Sequence, residues 1–218
     1  EIVAEVCQSF TFDNGAFTAW KGGKKYDING YAEFVAKWHR HPAFDWYIIP
    51  DVIDGTEQDN RIMRAKWQQI CPEGAWGLGV PVWHLHESLE ELAYLVTAYT
   101  RVALGSSGEY SVVGNPRWWS RMAAAMEVIC DDEGRPKVKL HGLRMLDPTV
   151  FSHLPLASAD STNVARNIGM DTAWKGTYTP RSKAARAIIL TERIEMHCSA
   201  ARWNGETSGV QQNLELFG

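Results

Sequence analysis

Polar side chains, most of them acidic, amide, hydroxyl or imidazole groups, follow the apolar segments of this chain at the points where each segment ends. In chain order they are Asp13 and Asn14; Asp51 and Asp54; His84, His86 and Glu87; Ser106, Ser107 and Glu109; His141; and Asp160, Ser161 and Asn163. Carboxylates can attack an electron-poor carbon or carry protons, and imidazoles can move protons or bind metals. One acid after one strand is ordinary turn chemistry, whereas polar groups after nearly every strand predict a functional surface.

The segments that must position these residues alternate between strand and helix patterns. We predict strands at 9–12, 45–50, 80–85, 101–105, 137–143 and 155–160, and helices at 27–40, 55–70, 88–99, 115–130, 149–154 and 180–203. Repeated βα units with short apolar strands predict a parallel sheet covered by helices, an α/β fold.

Two α/β architectures fit this pattern, a (β/α)-barrel and an open doubly wound sheet. The chain has neither a GxGxxG motif after its first strand nor a P-loop. Active sites of barrels form at the C-terminal ends of the strands, where the polar residues lie, so we favour a TIM-like barrel, complete or incomplete. We expect one domain over residues 1–218, with a C-terminal helix at 180–203.

Local sequence signals predict how three of the helices begin. Asp27 is the expected N-cap of the first. Ser88 and Glu91 form a capping-box pattern, and Pro116 stands at a first helical position.

Composition places the chain among ordinary globular proteins. It has 218 residues, 45% of them hydrophobic and 22% charged, with a net charge of −4 that argues against a generic basic nucleic-acid binder. No apolar run approaches the roughly 20 residues of a membrane span. The opening EIVAEVCQSF lacks the features of a signal peptide, and four scattered cysteines suggest free thiols. We therefore expect a cytoplasmic protein, in the host cytoplasm if a phage encodes it.

The charge is distributed unevenly. Residues 1–109 hold 9 Lys and Arg against 15 Asp and Glu, whereas residues 110–218 hold 13 against 11. The basic residues between 166 and 202 are Arg166, Lys175, Arg181, Lys183, Arg186, Arg193 and Arg202. With Trp174 and Tyr178 they form a candidate surface for phosphates and a neighbouring base, although a solvated helix face would look the same.

Structural roles could also explain each candidate. Asp13, with the Asn-Gly pair that follows it, could form only a turn, and Asp51 and Asp160 could cap the helices that follow them. His84 could be a core histidine. His86 and Glu87 could lie on the surface, and Gly105 and Gly108 could be loop hinges.

Four blocks of the sequence, in order, resemble the queuine-type tRNA-guanine transglycosylases and their relatives that place 7-deazaguanines in DNA, found in phages and bacterial modification clusters. FDNGAF (12–17) stands where that family has a DSGGF-type motif, and IIPDVIDG (48–55) is similar to a later strand that ends in Asp. LGSSGE (104–109) resembles a glycine-rich loop of the form GGLAVGE, and SADSTNVARN (158–167) resembles the run around the nucleophilic aspartate. The resemblance covers residues 9 to 167.

The resemblance implies a site for base exchange. Asp160 would be the nucleophile, Asp13 the acid and base, and Asp51 the group that accepts hydrogen bonds from guanine. The remaining substrate-binding positions would be His84, Gly105, Ser106, Glu109, Asn163 and Phe17. The reaction needs a carboxylate on each side of the sugar and no cofactor. The partners would be a nucleic acid and a free guanine or 7-deazaguanine.

The chain also departs from the family. Asn14 replaces the serine and Ala16 the second glycine of the first motif. The CxCxxC zinc pattern of the tRNA enzymes is missing, which favours DNA over tRNA and predicts no metal. Two other functions stay open, a metal-dependent hydrolase and a non-catalytic barrel that binds a nucleobase. The hydrolase would use His84, His86, His141 and Asp160.

Overall fold

The computed structural model describes residues 5, 7–169, 174 and 178–205. Within it the chain forms two compact units, and the boundary falls inside one strand, between Ala103 and Leu104. Lys175 and Asp171 of the basic segment lie outside the described residues.

Unit 1 contains a parallel sheet followed by a helix–strand repeat. Its elements are β1 (Phe10–Phe12), α1 (Ala16–Lys21), α2 (Ile28–Trp38), β2 (Phe44–Ile48), α3 (Glu57–Ile70), a 3₁₀ turn (Trp76–Leu78), β3 (Gly79–Val80), β4 (Val82–His84), α4 (Leu89–Ala98) and β5 (Arg101–Gly105), whose last two residues belong to unit 2. The order β1-β2-β3 is parallel throughout. The N–H of Ala103 donates to the carbonyl of Pro81 at 2.9 Å and thereby joins β5 to the start of β4.

An aromatic core holds the sheet of unit 1 against its helices. Trp67 on α3 donates its indole N–H to the Tyr47 hydroxyl at 3.1 Å, and Tyr31 on α2 donates to the Ile48 carbonyl at 3.0 Å. Burial raises the pKa of both tyrosines far above the ordinary value, so both phenols are neutral. Gly79 is needed here, because a Cβ would come within 2.9 Å of Ile49 Cγ1.

A buried ion-pair cluster connects α3 and α4. The Glu91 carboxylate, fully buried, accepts from Arg61 at 2.7 Å and from Arg64. This corrects half of the predicted capping box. Ser88 Oγ does accept from the Glu91 N–H at 3.0 Å, but the Ser88 N–H donates at 3.0 Å to Glu57 instead of to Glu91. The Glu91 carboxylate pairs with Arg61 and Arg64 of α3 and is therefore not available to the Ser88 N–H.

Unit 2 repeats the α/β pattern. After the end of β5 it contains a 3₁₀ turn (Gly108–Tyr110), α5 (Pro116–Ile129), β6 (Lys139–Gly142), α6 (Pro148–Phe151), β7 (Ser158–Ala159), α7 (Asn163–Asn167) and α8 (Lys183–Glu195). Strands β6 and β7 are parallel, with His141 opposite Ser158. Leu143 N–H donates to the carbonyl of Leu104 at 3.1 Å, which ties the end of β6 to β5.

The predicted α/β class is confirmed by these parallel strand pairs and intervening helices. The predicted caps at Asp27 and Pro116 are also confirmed. All four cysteines are free, and burial raises the pKa of the Cys130 thiol to about 11. No helix among the described residues is long and apolar enough to cross a membrane.

The predicted C-terminal helix at 180–203 is wrong in its length, since the helix ends at Glu195. The chain beyond it makes backbone hydrogen bonds elsewhere in unit 2. The Ala200 N–H donates to the Leu154 carbonyl at 3.1 Å, and the Trp203 N–H donates to the Gly134 carbonyl at 2.8 Å. These tertiary contacts end the helix where its sequence pattern would continue.

Glu91→Gln tests the ion-pair cluster. The isosteric amide leaves the buried Arg64 guanidinium without its counter-charge, so we expect the free energy of unfolding to fall by about 3 kcal/mol in urea titrations. Its exposed neighbour on the same helix is the matched control, and Glu90→Gln should change stability by less than about 0.5 kcal/mol. Equal effects of the two substitutions would contradict the role given to the cluster.

Candidate functional site

The C-terminal ends of three strands in unit 1 meet in a buried chain of hydrogen bonds centred on Asp51. Asn14, two residues after β1, donates its side-chain amide to Asp51 Oδ1 at 2.7 Å and to the Ile49 carbonyl at 3.0 Å. The last residue of β4, His84, places Nε2 at 2.9 Å from Asp51 Oδ2. All three polar side chains are buried. Each oxygen of the carboxylate therefore has one protein donor and keeps lone-pair capacity for a second.

The FDNGAF stretch forms a turn and also supplies a site residue. Asn14 Oδ1 accepts from the Ala16 N–H at 2.7 Å, and Gly15 adopts the left-handed conformation with φ 73° before α1 begins. The predicted turn is therefore present, but its Asn14 amide faces inward to Asp51. The residue before Asn14, Asp13, is exposed to solvent.

A second pair of buried polar residues, Asn60 and Glu87, holds this chain of hydrogen bonds in place. The side-chain amide of Asn60 on α3 donates to Glu87 Oε1 at 2.8 Å. Its side-chain oxygen, Oδ1, accepts from the N–H of Val52, the residue after Asp51, at 2.7 Å. Glu87 Oε2 accepts from the backbone N–H of His84 at 3.0 Å. Glu87 is buried, so the alternative that it lies on the surface is excluded. Sequence reasoning missed Asn60, although a polar residue at the spacing of the buried face of α3 was a visible signal.

The structural roles suggested for the two key acids are also wrong. Thr56, not Asp51, caps α3, and its side chain accepts from the Asp59 N–H. The N-cap of α7 is Thr162, not Asp160. Neither acid is occupied as a helix cap.

In unit 2, Asp160 lies directly after β7 and beside the end of β6. Its Oδ1 accepts from the Arg144 N–H at 2.7 Å, and its Oδ2 lies 3.5 Å from His141 Nε2. The other ring nitrogen of His141 lies 2.9 Å from Ser158 Oγ, which orients the imidazole. The Asp160 side chain is 47% exposed and so is accessible to a ligand.

The backbone at Arg144 is the one positive-φ non-glycine among the described residues, with φ 62°. This left-handed conformation costs free energy for a residue with a side chain. It directs the Arg144 N–H at the Asp160 carboxylate, so a strained peptide orients this acid.

The glycine-rich loop contributes less than expected to a polar site. Ser106 Oγ is buried and accepts from the Trp118 indole at 2.8 Å, and exposed Glu109 pairs with Arg117. Gly105 is buried at the end of β5. Phe17 is exposed on α1, and the side chain of Asn163 lies outside the described part of the chain.

The basic segment 166–202 is only partly available for a ligand. The Trp174 ring is buried with the Arg193 guanidinium 5.2 Å from its centroid, so it is not the exposed stacking surface that we predicted. Arg186 donates to the Pro180 carbonyl at 2.7 Å within unit 2. Tyr178 is exposed.

The histidines of the hydrolase alternative have separate partners. His84 pairs with Asp51, whereas the exposed His86 places Nε2 at 3.0 Å from the Gly55 carbonyl. Among residues 5, 7–169, 174 and 178–205, no three His, Cys, Asp or Glu side chains are grouped to hold a metal ion.

The two clusters, one in each unit, have different chemical properties. The buried, doubly hydrogen-bonded Asp51 carboxylate is suited to recognise a donor-rich planar ligand, and the accessible Asp160 carboxylate is suited to attack an electrophilic carbon. No protein-family model, curated protein or solved structure matches this chain.

Asn60→Ala tests whether the amide positions the Asp51 chain. The substitution removes the donor to the buried Glu87 and the acceptor for the Val52 N–H, so we expect a loss of about 2 kcal/mol in the free energy of unfolding. Gln58→Ala, at an exposed position of the same helix, is the control and should have almost no effect. Chemical denaturation measures both, and a neutral Asn60→Ala would show that the amide is dispensable.

Proposed function

We propose that this protein is a base-exchange transglycosylase that replaces guanine in a nucleic acid, with DNA favoured over tRNA, by a 7-deazaguanine. Asp160 and Asp13 carry the reaction, and Asp51 with His84 recognises the base. We also propose that the parallel strands belong to a (β/α)-barrel, complete or incomplete.

The reaction has two displacement steps. The Asp160 carboxylate attacks C1′ of the target nucleotide, the C1′–N9 bond breaks, and Asp13 delivers a proton to the departing guanine. The incoming base then attacks C1′ through its own ring nitrogen, gives that nitrogen's proton to Asp13, and releases Asp160. Because two displacements occur, the sugar keeps its configuration. The target nucleotide must be single-stranded or flipped out of a duplex.

The hydrogen-bonded chain of Asn14, Asp51 and His84 carries the proposal. These residues come from three separate segments of the sequence. The resemblance implies that Asp51 and His84 bind the base, and Asn14 follows directly after Asp13, the proposed acid and base. A site that binds a base requires these three side chains to lie together. In unit 1 they form a chain with polar distances of 2.7 and 2.9 Å.

Asp51 has the chemistry required to recognise guanine. Guanine offers an N1–H and an exocyclic amine on one edge, and a carboxylate accepts two such donors side by side. Asn14 and His84 fix the plane of the carboxylate before the base arrives, which reduces the free-energy cost of ordering it on binding. Backbone N–H groups of Gly105 and Ser106 are proposed to hold the base carbonyl.

Asp160 has the accessibility and orientation that a nucleophile requires. Half of its side-chain surface is open to solvent, and the Arg144 N–H fixes one of its oxygens. Asp13 is exposed one residue before Asn14, so a proton carrier is adjacent in sequence to the base-recognition chain.

Carboxylate-to-amide substitutions test this assignment. With labelled guanine and either a single-stranded DNA or a tRNA as acceptor, Asp160→Asn should lower exchange at least about a thousandfold, since the covalent intermediate cannot form. Asp13→Asn should lower it about a hundredfold, the usual contribution of a general acid and base.

Asp132→Asn is the matched control, because it removes an exposed carboxylate elsewhere in unit 2 and should exchange at the wild-type rate. Unfolding midpoints verify that each variant is folded. Full exchange by Asp160→Asn, or no exchange by the wild-type protein on either polymer, would show that the proposed function is wrong.

A further inference from the structure

The short helix α1 presents an exposed aromatic and basic surface, which we call the α1 patch: Phe17, Trp20, Lys21, Lys24 and Lys25. The Trp20 side chain is 47% exposed and that of Phe17 is 38% exposed, and their ring centroids lie 5.6 Å apart. At a spacing of three residues the two rings share one face of the helix. Contiguous exposed aromatic surface is typical of interaction sites.

The α1 patch is also the positive part of an acidic region. Residues 14–26 contain three lysines and no Asp or Glu, although residues 1–109 as a whole have a net charge of −6. The next acid along the chain, Asp27, accepts from the Gly30 N–H at 2.9 Å as the cap of α2. The local charge therefore favours an anionic partner.

The backbone after α1 is fixed by a C-terminal capping motif. Gly23 is left-handed with φ 61°, its N–H donates to the Trp20 carbonyl at 3.0 Å, and the Lys24 N–H donates to the Ala19 carbonyl at 2.9 Å. This is a Schellman motif, which ends a helix in a defined geometry. The aromatic rings and the lysines are thus presented from a preformed backbone.

We propose that the α1 patch binds a single-stranded segment of nucleic acid, with a base stacked on Trp20 and phosphates held by the lysines. Stacking surfaces combined with positive charge are the usual means of binding single strands without reading their sequence. Since α1 follows Asp13 by only a few residues, the bound segment flanks the nucleotide that reacts. This last assignment depends on the proposed function, whereas the binding itself does not.

A membrane surface is a less suitable partner for the same chemistry. Interfacial helices bury a long apolar face, and α1 has only 6 residues. A flat base needs no more than one or two rings, and the α1 patch supplies them beside the cations that phosphates require.

Binding of a fluorescein-labelled single-stranded 12-mer, as DNA and as RNA, tests the proposal by anisotropy. Trp20→Ala should weaken binding about tenfold, and Trp20→Phe should recover most of the affinity because a phenyl ring still stacks. Tyr94→Ala is the control, since Tyr94 is an aromatic residue of α4 with 57% exposure, and it should bind like the wild-type protein.

The salt dependence of binding tests the lysines. The Lys21→Gln, Lys24→Gln and Lys25→Gln triple variant should reduce the slope of log affinity against log salt by about 2, as expected for three lost phosphate contacts to a single strand. Lys66 lies at an exposed position of α3, and Lys66→Gln should leave the slope unchanged. Vesicles of anionic lipid should not bind in a Trp20-dependent way.

The results separate this inference from the proposed function. If Trp20→Ala and the lysine variant bind the 12-mer like the wild-type protein, or if the α1 patch binds only vesicles, the inference is wrong, whether or not the wild-type protein exchanges guanine. If both variants weaken binding in an Asp160→Asn background, the α1 patch binds nucleic acid independently of chemistry.

Discussion

The strand ends of unit 1 are organised around one buried carboxylate, that of Asp51. Removing Asp51 from water is costly unless donors replace the lost hydration, and the side chains of Asn14 and His84 supply them from the ends of two other strands. Asn60 and Glu87 then fix the backbone next to Asp51 and His84. A polar network of this kind is stabilising only if its members are satisfied together, so its hydrogen bonds connect the ends of β1, β2 and β4.

The proposed function gives the acids different tasks. Asp51 is buried and rigid, which suits recognition of a planar base, whereas Asp13 and Asp160 are open to solvent and can exchange protons or form a bond. Asp160 is oriented by the strained peptide at Arg144 and by His141, whose ring is held by Ser158. The proposed base exchange thus assigns recognition and chemistry to carboxylates with different surroundings.

Sequence patterns predicted the fold class because apolar strands, caps and breakers are local signals. They missed α1, since 6 residues show no periodicity and Asn14-Gly15 is typical of a turn. They extended the last helix too far, because the hydrogen bond between Trp203 and Gly134 is tertiary. Likewise the strand-end argument predicted Asp51 and His84 as site residues, but Asn60 and the burial of Trp174 depend on contacts between distant parts of the chain.

The central claim is a covalent bond between Asp160 and a nucleotide sugar. Its most direct test is the mass of the protein after incubation with a guanine-containing DNA or tRNA and free base, followed by denaturation and digestion. We predict that the nucleic acid remains attached to the peptide that contains Asp160 and that the adduct is missing in Asp160→Asn. An adduct on a different residue, or guanine exchange without any adduct, would contradict this account.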